Sequence, residues 1–310
     1  MARRATAYPM SSHRLGRRSR ALLAVFAPAA ALLCAGSAQA AFPGANGRIA
    51  YAVEDYPTLS DAAGYYRIAS ILPDGSDPRS IGGSASGPVA FSPDGRRVVY
   101  VDGYDERIWV APASGRGRSR RLKRFPDVGP VYSYARSPDW SPSGRRIVFQ
   151  RRPEDGPTEL WIHYFDGERR LTEGADPAWS VKGDIAFVRR GIRVVRPDGS
   201  GLRQLSERGR SPDWSPDGRR IVFTLGSHIA VMRADGSGLR RLPVTGREPA
   251  FSPEGKQIVF LRGSSVFKMT SAGRRVKRLR SHIRYEWEEW GTAVFAPDWQ
   301  PRPSAAGRGG

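Results

Sequence analysis

The chain has 310 residues, and its 50 Lys and Arg against 30 Asp and Glu give a formal charge of +20 with histidine neutral. Its single cysteine, Cys34, excludes a disulfide framework, so stability has to come from packing. The four histidines stand at no metal-binding spacing, and no His-Glu-x-x-His motif occurs.

Residues 1–40 read as a secretory signal peptide. Arg3, Arg4, Arg14, Arg17, Arg18 and Arg20 form a basic leader, Ala21 to Leu33 is apolar, and Ala38-Gln39-Ala40 is a small-x-small cleavage signal. The apolar run is short for a membrane span and no second one follows, so no transmembrane segment is expected. The expectation is an extracytoplasmic protein, in the periplasm, in the cell wall or secreted, after cleavage near Ala40. Arg17-Arg18 leaves Sec and twin-arginine export both open. Leu33 is too large for a usual lipoprotein box before Cys34. Removing the leader's six arginines, which no acid offsets, lowers the formal charge from +20 to +14. The remaining arginines are spread through the whole chain, which implies at most a weak attraction to anionic surfaces. Export argues against a nucleic-acid partner.

From Val89 onward one phrase recurs: Val89-Ala90-Phe91-Ser92-Pro93-Asp94-Gly95, Pro138-Asp139-Trp140-Ser141-Pro142-Ser143-Gly144, Pro177-Ala178-Trp179-Ser180, Pro212-Asp213-Trp214-Ser215-Pro216-Asp217-Gly218, Pro249-Ala250-Phe251-Ser252-Pro253-Glu254-Gly255 and Pro297-Asp298-Trp299-Gln300. Its aromatic anchors lie 49, 39, 35, 37 and 48 residues apart, the period of a structural repeat. In the unit Pro212 to Leu242, short β-branched runs alternate with Ser-Pro-Asp-Gly and Ala-Asp-Gly-Ser turns. Proline presets φ at the second position of the first turn, and glycine takes the positive φ of a bulged hairpin. That is four antiparallel strands per repeat, a propeller blade. The fold class is therefore all-β, a six-bladed β-propeller over residues 41–301, with 302–310 a disordered tail. Gly47 to Tyr51 reads as a second strand without a first, and Ala296 to Gln300 supplies it, so the C-terminal strand completes the N-terminal blade and closes the ring. The anchors are expected in the core.

Pro-Asp-Trp-Ser-Pro-Asp-Gly-Arg-Arg-Ile-Val-Phe, followed by Ile-Ala-Val-Met-Arg-Ala-Asp-Gly-Ser, resembles the TolB-type propeller repeat, also called the WD40-like or PD40 repeat. The resemblance covers about residues 47 to 301 and implies a six-bladed propeller of the bacterial cell envelope that binds other molecules. TolB proteins carry an N-terminal α/β domain, and here Ala41 to Asn46 alone precede the first strand. The Gly-His and Trp-Asp signatures of eukaryotic WD40 repeats are absent.

Strand direction alternates within a blade. The first-to-second and third-to-fourth turns therefore share one face, while the second-to-third loops and interblade links share the other. The long insertions all fall on the second face, and long loops carry function. The ligand-binding candidates there are Tyr104, Tyr132, Tyr134, Tyr285, Trp287 and Trp290, interleaved with acidic residues such as Asp105, Glu106, Glu286, Glu288 and Glu289. Aromatic planes beside carboxylates suit a protein, peptide or glycan. The residue before each anchor alternates as Asp298, Ala90, Asp139, Ala178, Asp213 and Ala250. Three carboxylates at threefold spacing either gather a cation or satisfy backbone or Arg donors, each within its own blade. No nucleophile motif, catalytic residue, metal site or cofactor is read, since Gly83-Ser84-Ala85-Ser86-Gly87 places alanine where a nucleophile elbow needs serine. The expected function is an envelope binding or scaffold protein, not an enzyme. The alternative is a glycoside hydrolase or lyase using carboxylates of the loop face.

Overall fold

The computed structural model describes residues 41–55, 65–122, 134–153, 155–164, 166–281 and 293–302. All regular structure among them is β. Blade 1 holds β1 (Ala45–Asp55), β2 (Tyr65–Ile71) and β3 (Arg79–Ser80). Blade 2 holds β4 (Ala90–Phe91), β5 (Arg97–Val101), β6 (Ile108–Pro112) and β7 (Arg120–Arg121). Blade 3 holds β8 (Tyr134–Trp140), β9 (Ile147–Arg152), β10 (Glu159–Tyr164) and β11 (Gly167–Glu173), and blade 4 holds β12 (Ala175–Trp179), β13 (Ile185–Val188), β14 (Ile192–Val195) and β15 (Arg203–Ser206). Blade 5 follows with β16 (Arg210–Trp214), β17 (Arg220–Leu225), β18 (His228–Arg233) and β19 (Arg240–Thr245). Blade 6 is β20 (Arg247–Phe251), β21 (Gln257–Arg262), β22 (Ser265–Thr270) and β23 (Lys277–Ser281). The chain then returns to blade 1 as β24 (Ala293–Val294) and β25 (Asp298–Arg302).

Closure follows the sequence expectation. β25 pairs antiparallel with β1, setting Trp299 opposite Ile49 and Asp298 opposite Ala50, while β24 extends the pairing to Val53 and Glu54. The head and tail of the chain thus build one sheet, and the ring has no open inner edge there.

Position in the blade dictates composition. Second strands such as Arg220–Leu225 lie between two neighbouring blades and are buried on both faces, so they read as unbroken apolar runs. Fourth strands face solvent, and Arg79–Ser80 and Arg120–Arg121 are exposed throughout. The core is accordingly split into six apolar layers, one per blade junction. All six anchors are buried in these layers, as expected. Each first turn closes on a glycine in the left-handed region, with φ of 67°, 65°, 63° and 69° at Gly95, Gly144, Gly218 and Gly255. A side chain there would be strained, which is why the phrase ends in glycine.

The segment before β1 fills the axis. Ala41 packs in the layer between blades 5 and 6, and Phe42 in the layer between blades 2 and 3, on opposite sides of a six-membered ring. Adjacent residues, about 3.8 Å apart at Cα, touch both only by sitting at the centre. Ala41 N–H donates to the Trp214 carbonyl at 3.4 Å. Trp214 immediately precedes a first turn, so the plug lies towards the tight-turn end. Replacing Phe42 by Ala is expected to cost roughly 3–5 kcal/mol, read as a lowered midpoint in thermal unfolding; an unchanged midpoint would show that the plug bears no load.

Candidate functional site on the axis and the loop face

The alternating aspartates are resolved by the geometry of the first strands. Asp298 Oδ2 accepts the Phe91 N–H at 2.7 Å, Asp139 Oδ2 the Trp179 N–H at 2.6 Å, and Asp213 Oδ2 the Phe251 N–H at 2.6 Å. Asp298 Oδ1 and Asp139 Oδ1 also accept the N–H of their own anchors, Trp299 and Trp140, at 2.7 and 2.8 Å. Each carboxylate of blades 1, 3 and 5 is therefore turned into the following blade. The cation reading of this trio is corrected: the alternation is a stitching pattern, and the alanines of blades 2, 4 and 6 are the receiving side. Among the described residues no group of three or more His, Cys, Asp or Glu is placed to hold a metal ion.

The stitch carries an electrostatic cost. Burial pushes Asp213 well above the usual carboxylate range; the Phe251 N–H opposes it, and the charges of Asp298 and Asp139 add to the rise. Asp298 is raised in the same way, by burial first and by Asp139 as well, against the pull of the Phe91 N–H.

A second acidic tier, missed in the sequence, lies two residues earlier. The first strands of blades 3 to 6 carry Ser137, Asp176, Ser211 and Glu248 there, each followed by proline, so in blades 4 and 6, with alanine before the anchor, this position holds the acid. All four are buried non-glycine residues in the left-handed region, with φ of 54°, 49°, 51° and 53°. They sit where the strand register slips, at a bulge that re-aims the chain at the loop-face end of the axis. Asp176 Oδ2 accepts the Ser211 N–H at 3.3 Å, whereas its Oδ1 is buried with no hydrogen-bond partner among the described residues. Burial pushes Asp176 well above its ordinary value; the Ser211 N–H opposes this and the Glu248 charge adds to it. Glu248 Oε1 in turn accepts Arg247 Nη1 at 2.5 Å. The signal was legible as the complementary alternation Ser-Pro-Asp, Asp-Pro-Ala, Ser-Pro-Asp, Glu-Pro-Ala.

On the loop face, Tyr104 stands 63% exposed in the turn between β5 and β6. Its ring meets Tyr66 edge-on, with centroids 5.6 Å apart and planes at 84°. Tyr66 lies over Gly103, where any Cβ would fall 2.3 Å from the ring, so glycine is required for this close approach. Burial, then the hydrogen bond to Glu54, push the Tyr66 hydroxyl up to about 12, with the charge of Arg136 opposing. The same Arg136 charge offsets the burial that raises Glu106. A tyrosine pair braced by a carboxylate and a guanidinium thus spans the tops of blades 1 to 3. Of the residues expected to bind, Tyr104 belongs to this group, and Tyr134 opens β8 opposite Arg152. Tyr132, Tyr285, Trp287 and Trp290 lie outside the described residues.

His163 Nδ1 lies 3.5 Å from the buried carboxylate of Glu168, which also takes Arg151 Nη2 at 2.5 Å. Burial raises Glu168, but the His163 hydrogen bond and the Arg151 charge outweigh it and leave the group below its ordinary value.

Six four-stranded blades closed by the last strand define a propeller of the TolB type in fold. No protein-family model matches the chain and no curated protein matches it in sequence. Among solved structures it is similar to TolB from Acinetobacter baumannii, with 20% identity and a TM-score of 0.61 over 83% of this chain and 67% of that one. It is also similar to a putative TolB from Agrobacterium tumefaciens, with 17% identity and a TM-score of 0.57 over 82% and 99%. A chain of a nidogen/laminin complex matches at 15% identity and a TM-score of 0.62 over 83% and 100%. The same fold is found in enzymes, among them an oligogalacturonate lyase and a gluconolactonase. Among the described residues no helix is long and apolar enough to cross a membrane.

The buried acids set a pH signature. A carboxyl raised in the folded state holds its proton there while the unfolded chain has released it, so stability falls as pH rises from the unfolded value near 4 through the folded one. The turn aspartates Asp74, Asp198 and Asp235 are lowered, chiefly by hydrogen bonds from Ser76, Ser200 and Ser237, and act oppositely: their contribution is lost as pH falls below the ordinary carboxylate range. Stability is therefore expected to peak at mildly acidic pH, between roughly 4 and 6. Asp298→Ala strands the Phe91 and Trp299 N–H groups and is expected to cost roughly 2–4 kcal/mol at pH 5, and less at pH 8, where only the parent bears the buried carboxyl. Chemical denaturation at the two pH values checks both size and trend.

Proposed function

We propose that the chain is an exported cell-envelope binding or scaffold protein that presents the loop face of its propeller to a protein, peptide or glycan. The observation that carries this reading is the braced, exposed Tyr104. A ring standing in solvent would normally lose rotamer freedom on contact; here Tyr66, Glu54 and Gly103 hold the neighbouring surface in place, which lowers the ordering cost of recognition. Plugging of the axis by Ala41 and Phe42 at the tight-turn end supports approach from the loop face. The fold neighbour from a nidogen/laminin complex supports protein binding as one use of such a ring.

Export rests on the leader sequence, which lies outside the described residues. Cleavage near Ala40 would leave the amino group of Ala41 at the Trp214 carbonyl, one residue from the buried Asp213. A new ammonium there would offset part of the carboxylate burial. A second reading, a glycan-active hydrolase or lyase, is favoured by the Asp176 carboxyl, raised and lacking a partner at Oδ1 in the neighbourhood of Glu248.

Protein recovered from the envelope fraction is expected to begin at Ala41 and to capture its partner from envelope extract. Tyr104→Ala should weaken capture by about tenfold, the scale of an aromatic hot spot, with the thermal midpoint unchanged. Equal capture by parent and variant would remove Tyr104 from the binding face. Turnover of an envelope or plant polysaccharide that disappears in Asp176→Asn would instead select the enzyme reading.

A further inference from the structure

A cleft of about 690 Å³ opens between blades 2 and 3, away from the loop-face tyrosines. Val110, Pro112, Leu122, Trp140 and Ile147 form an apolar lining, and Arg97, Arg118, Arg120 and Arg145 supply the charge. Its volume is that of a small-molecule site. The outer strand β7 beside it has two residues, as has β3 of blade 1, where the outer strands of blades 3 to 6 have four to seven.

The repeat acts as an internal reference for the charge. Each first-to-second turn packs against the preceding blade, as Gly95 does on Pro301, Gly218 on Lys182 and Gly255 on Pro216. In blades 2, 5 and 6 that turn carries a carboxylate, Asp94, Asp217 and Glu254. In blade 3, whose turn borders the cleft at Gly144 and Arg145, the same position is Ser143, while the arginines remain. Ser143 keeps a turn bond of the acid it replaces: its Oγ meets Ser141 Oγ at 3.1 Å, as Asp94 Oδ1 accepts Ser92 Oγ at 2.5 Å. The acid is therefore dispensable for the turn. No carboxylate of the described residues pairs with Arg118, Arg120 or Arg145. Arg97 is held in place, its guanidinium 4.6 Å over the Trp140 ring and Nη2 donating to the Gly144 carbonyl at 3.3 Å. The contrast is the smaller cleft between blades 1 and 2, of about 400 Å³, where Asp77 neutralises Arg48 and Arg79 at 2.9 and 2.8 Å.

We propose that the cleft between blades 2 and 3 binds an amphipathic phosphate monoester, its dianionic head on Arg97, Arg118, Arg120 and Arg145 and its apolar body on Val110, Pro112 and Ile147. Several forked guanidiniums lining one cleft match a phosphate better than a single carboxylate, which one arginine satisfies. The apolar lining distinguishes the site from a diffuse basic surface, because burying a short alkyl chain adds about 0.8 kcal/mol per methylene. Such a head occurs on a soluble ester and on a lipid of phosphatidic acid type.

Isothermal titration with hexyl phosphate, inorganic phosphate and vesicles containing phosphatidic acid separates these cases. The parent protein is expected to bind hexyl phosphate at least tenfold more tightly than inorganic phosphate. Ser143→Asp, which restores the repeat's own turn acid and so should fold, is expected to weaken binding about tenfold, and Arg118→Gln/Arg145→Gln likewise. Arg208→Gln/Arg240→Gln, with the same change in net charge on blades 4 and 5, should leave it unchanged. Variant-sensitive binding to the free ester supports the site with a soluble ligand, and variant-sensitive binding to vesicles alone supports it with a lipid ligand. Equal affinity for ester and inorganic phosphate, equal loss in the control, or no binding of any probe would overturn it.

Discussion

The ring depends on hydrogen bonds that cross from one blade to the next at the level of the anchor aromatics. Blades 1, 3 and 5 carry Pro-Asp-Trp, and the aspartate of each reaches forward to an anchor N–H of blade 2, 4 or 6. The tryptophan reaches back: Trp140 Nε1 donates to the Ala90 carbonyl at 3.2 Å and Trp214 Nε1 to the Ala178 carbonyl at 3.1 Å. An odd-numbered blade thus grips both neighbours, and an even-numbered blade offers a small residue whose backbone can be gripped. The closure junction departs from this, since Trp299 Nε1 finds no partner among the described residues. There Arg247 Nη2 of blade 6 donates to the Val294 carbonyl of blade 1 at 3.3 Å.

Such a fold trades charge burial for directionality. Apolar layers between blades favour stacking without setting its angle, because hydrophobic burial is not directional. A carboxylate bound to N–H groups of two blades fixes their separation to a few tenths of an ångström. The cost appears as the raised carboxyls of Asp213, which feels the charges of Asp298 and Asp139, and of Asp298, which feels that of Asp139.

What was legible in the sequence follows from how locally each feature is determined. Turns and strands recur because Pro, Asp and Gly act within four residues, and six copies of the phrase made the blade count and the head-to-tail closure readable. The partner of a side chain across a junction is a property of two segments 36 to 50 residues apart or at opposite chain ends, and spacing along one segment does not reveal it. The alternation of Asp and Ala was visible, but threefold symmetry suggested convergence on the axis, whereas the geometry sends each carboxylate sideways. The matching alternation at Asp176 and Glu248 was equally visible and was overlooked because those residues precede proline and read as the end of a loop. Tyr66, inside a run taken as an insertion, is revealed as the brace of Tyr104 by its contacts alone.

A repeat protein separates what the fold demands from what it merely allows. Residues alike in every blade, the turn glycines and buried anchors, answer to packing, and substituting them reports on stability. Residues in which one blade departs from its siblings answer to something local. Asp176 and Glu248 stand where blades 3 and 5 manage with serine, and Ser143 stands where the same turn of blades 2, 5 and 6 keeps an acid. Since sibling blades fold without these departures, folding alone gives no reason for them. The two groups fall at different places, one at the loop-face end of the axis and one in the cleft between blades 2 and 3, and the ring is rigid enough for each to act without disturbing the other.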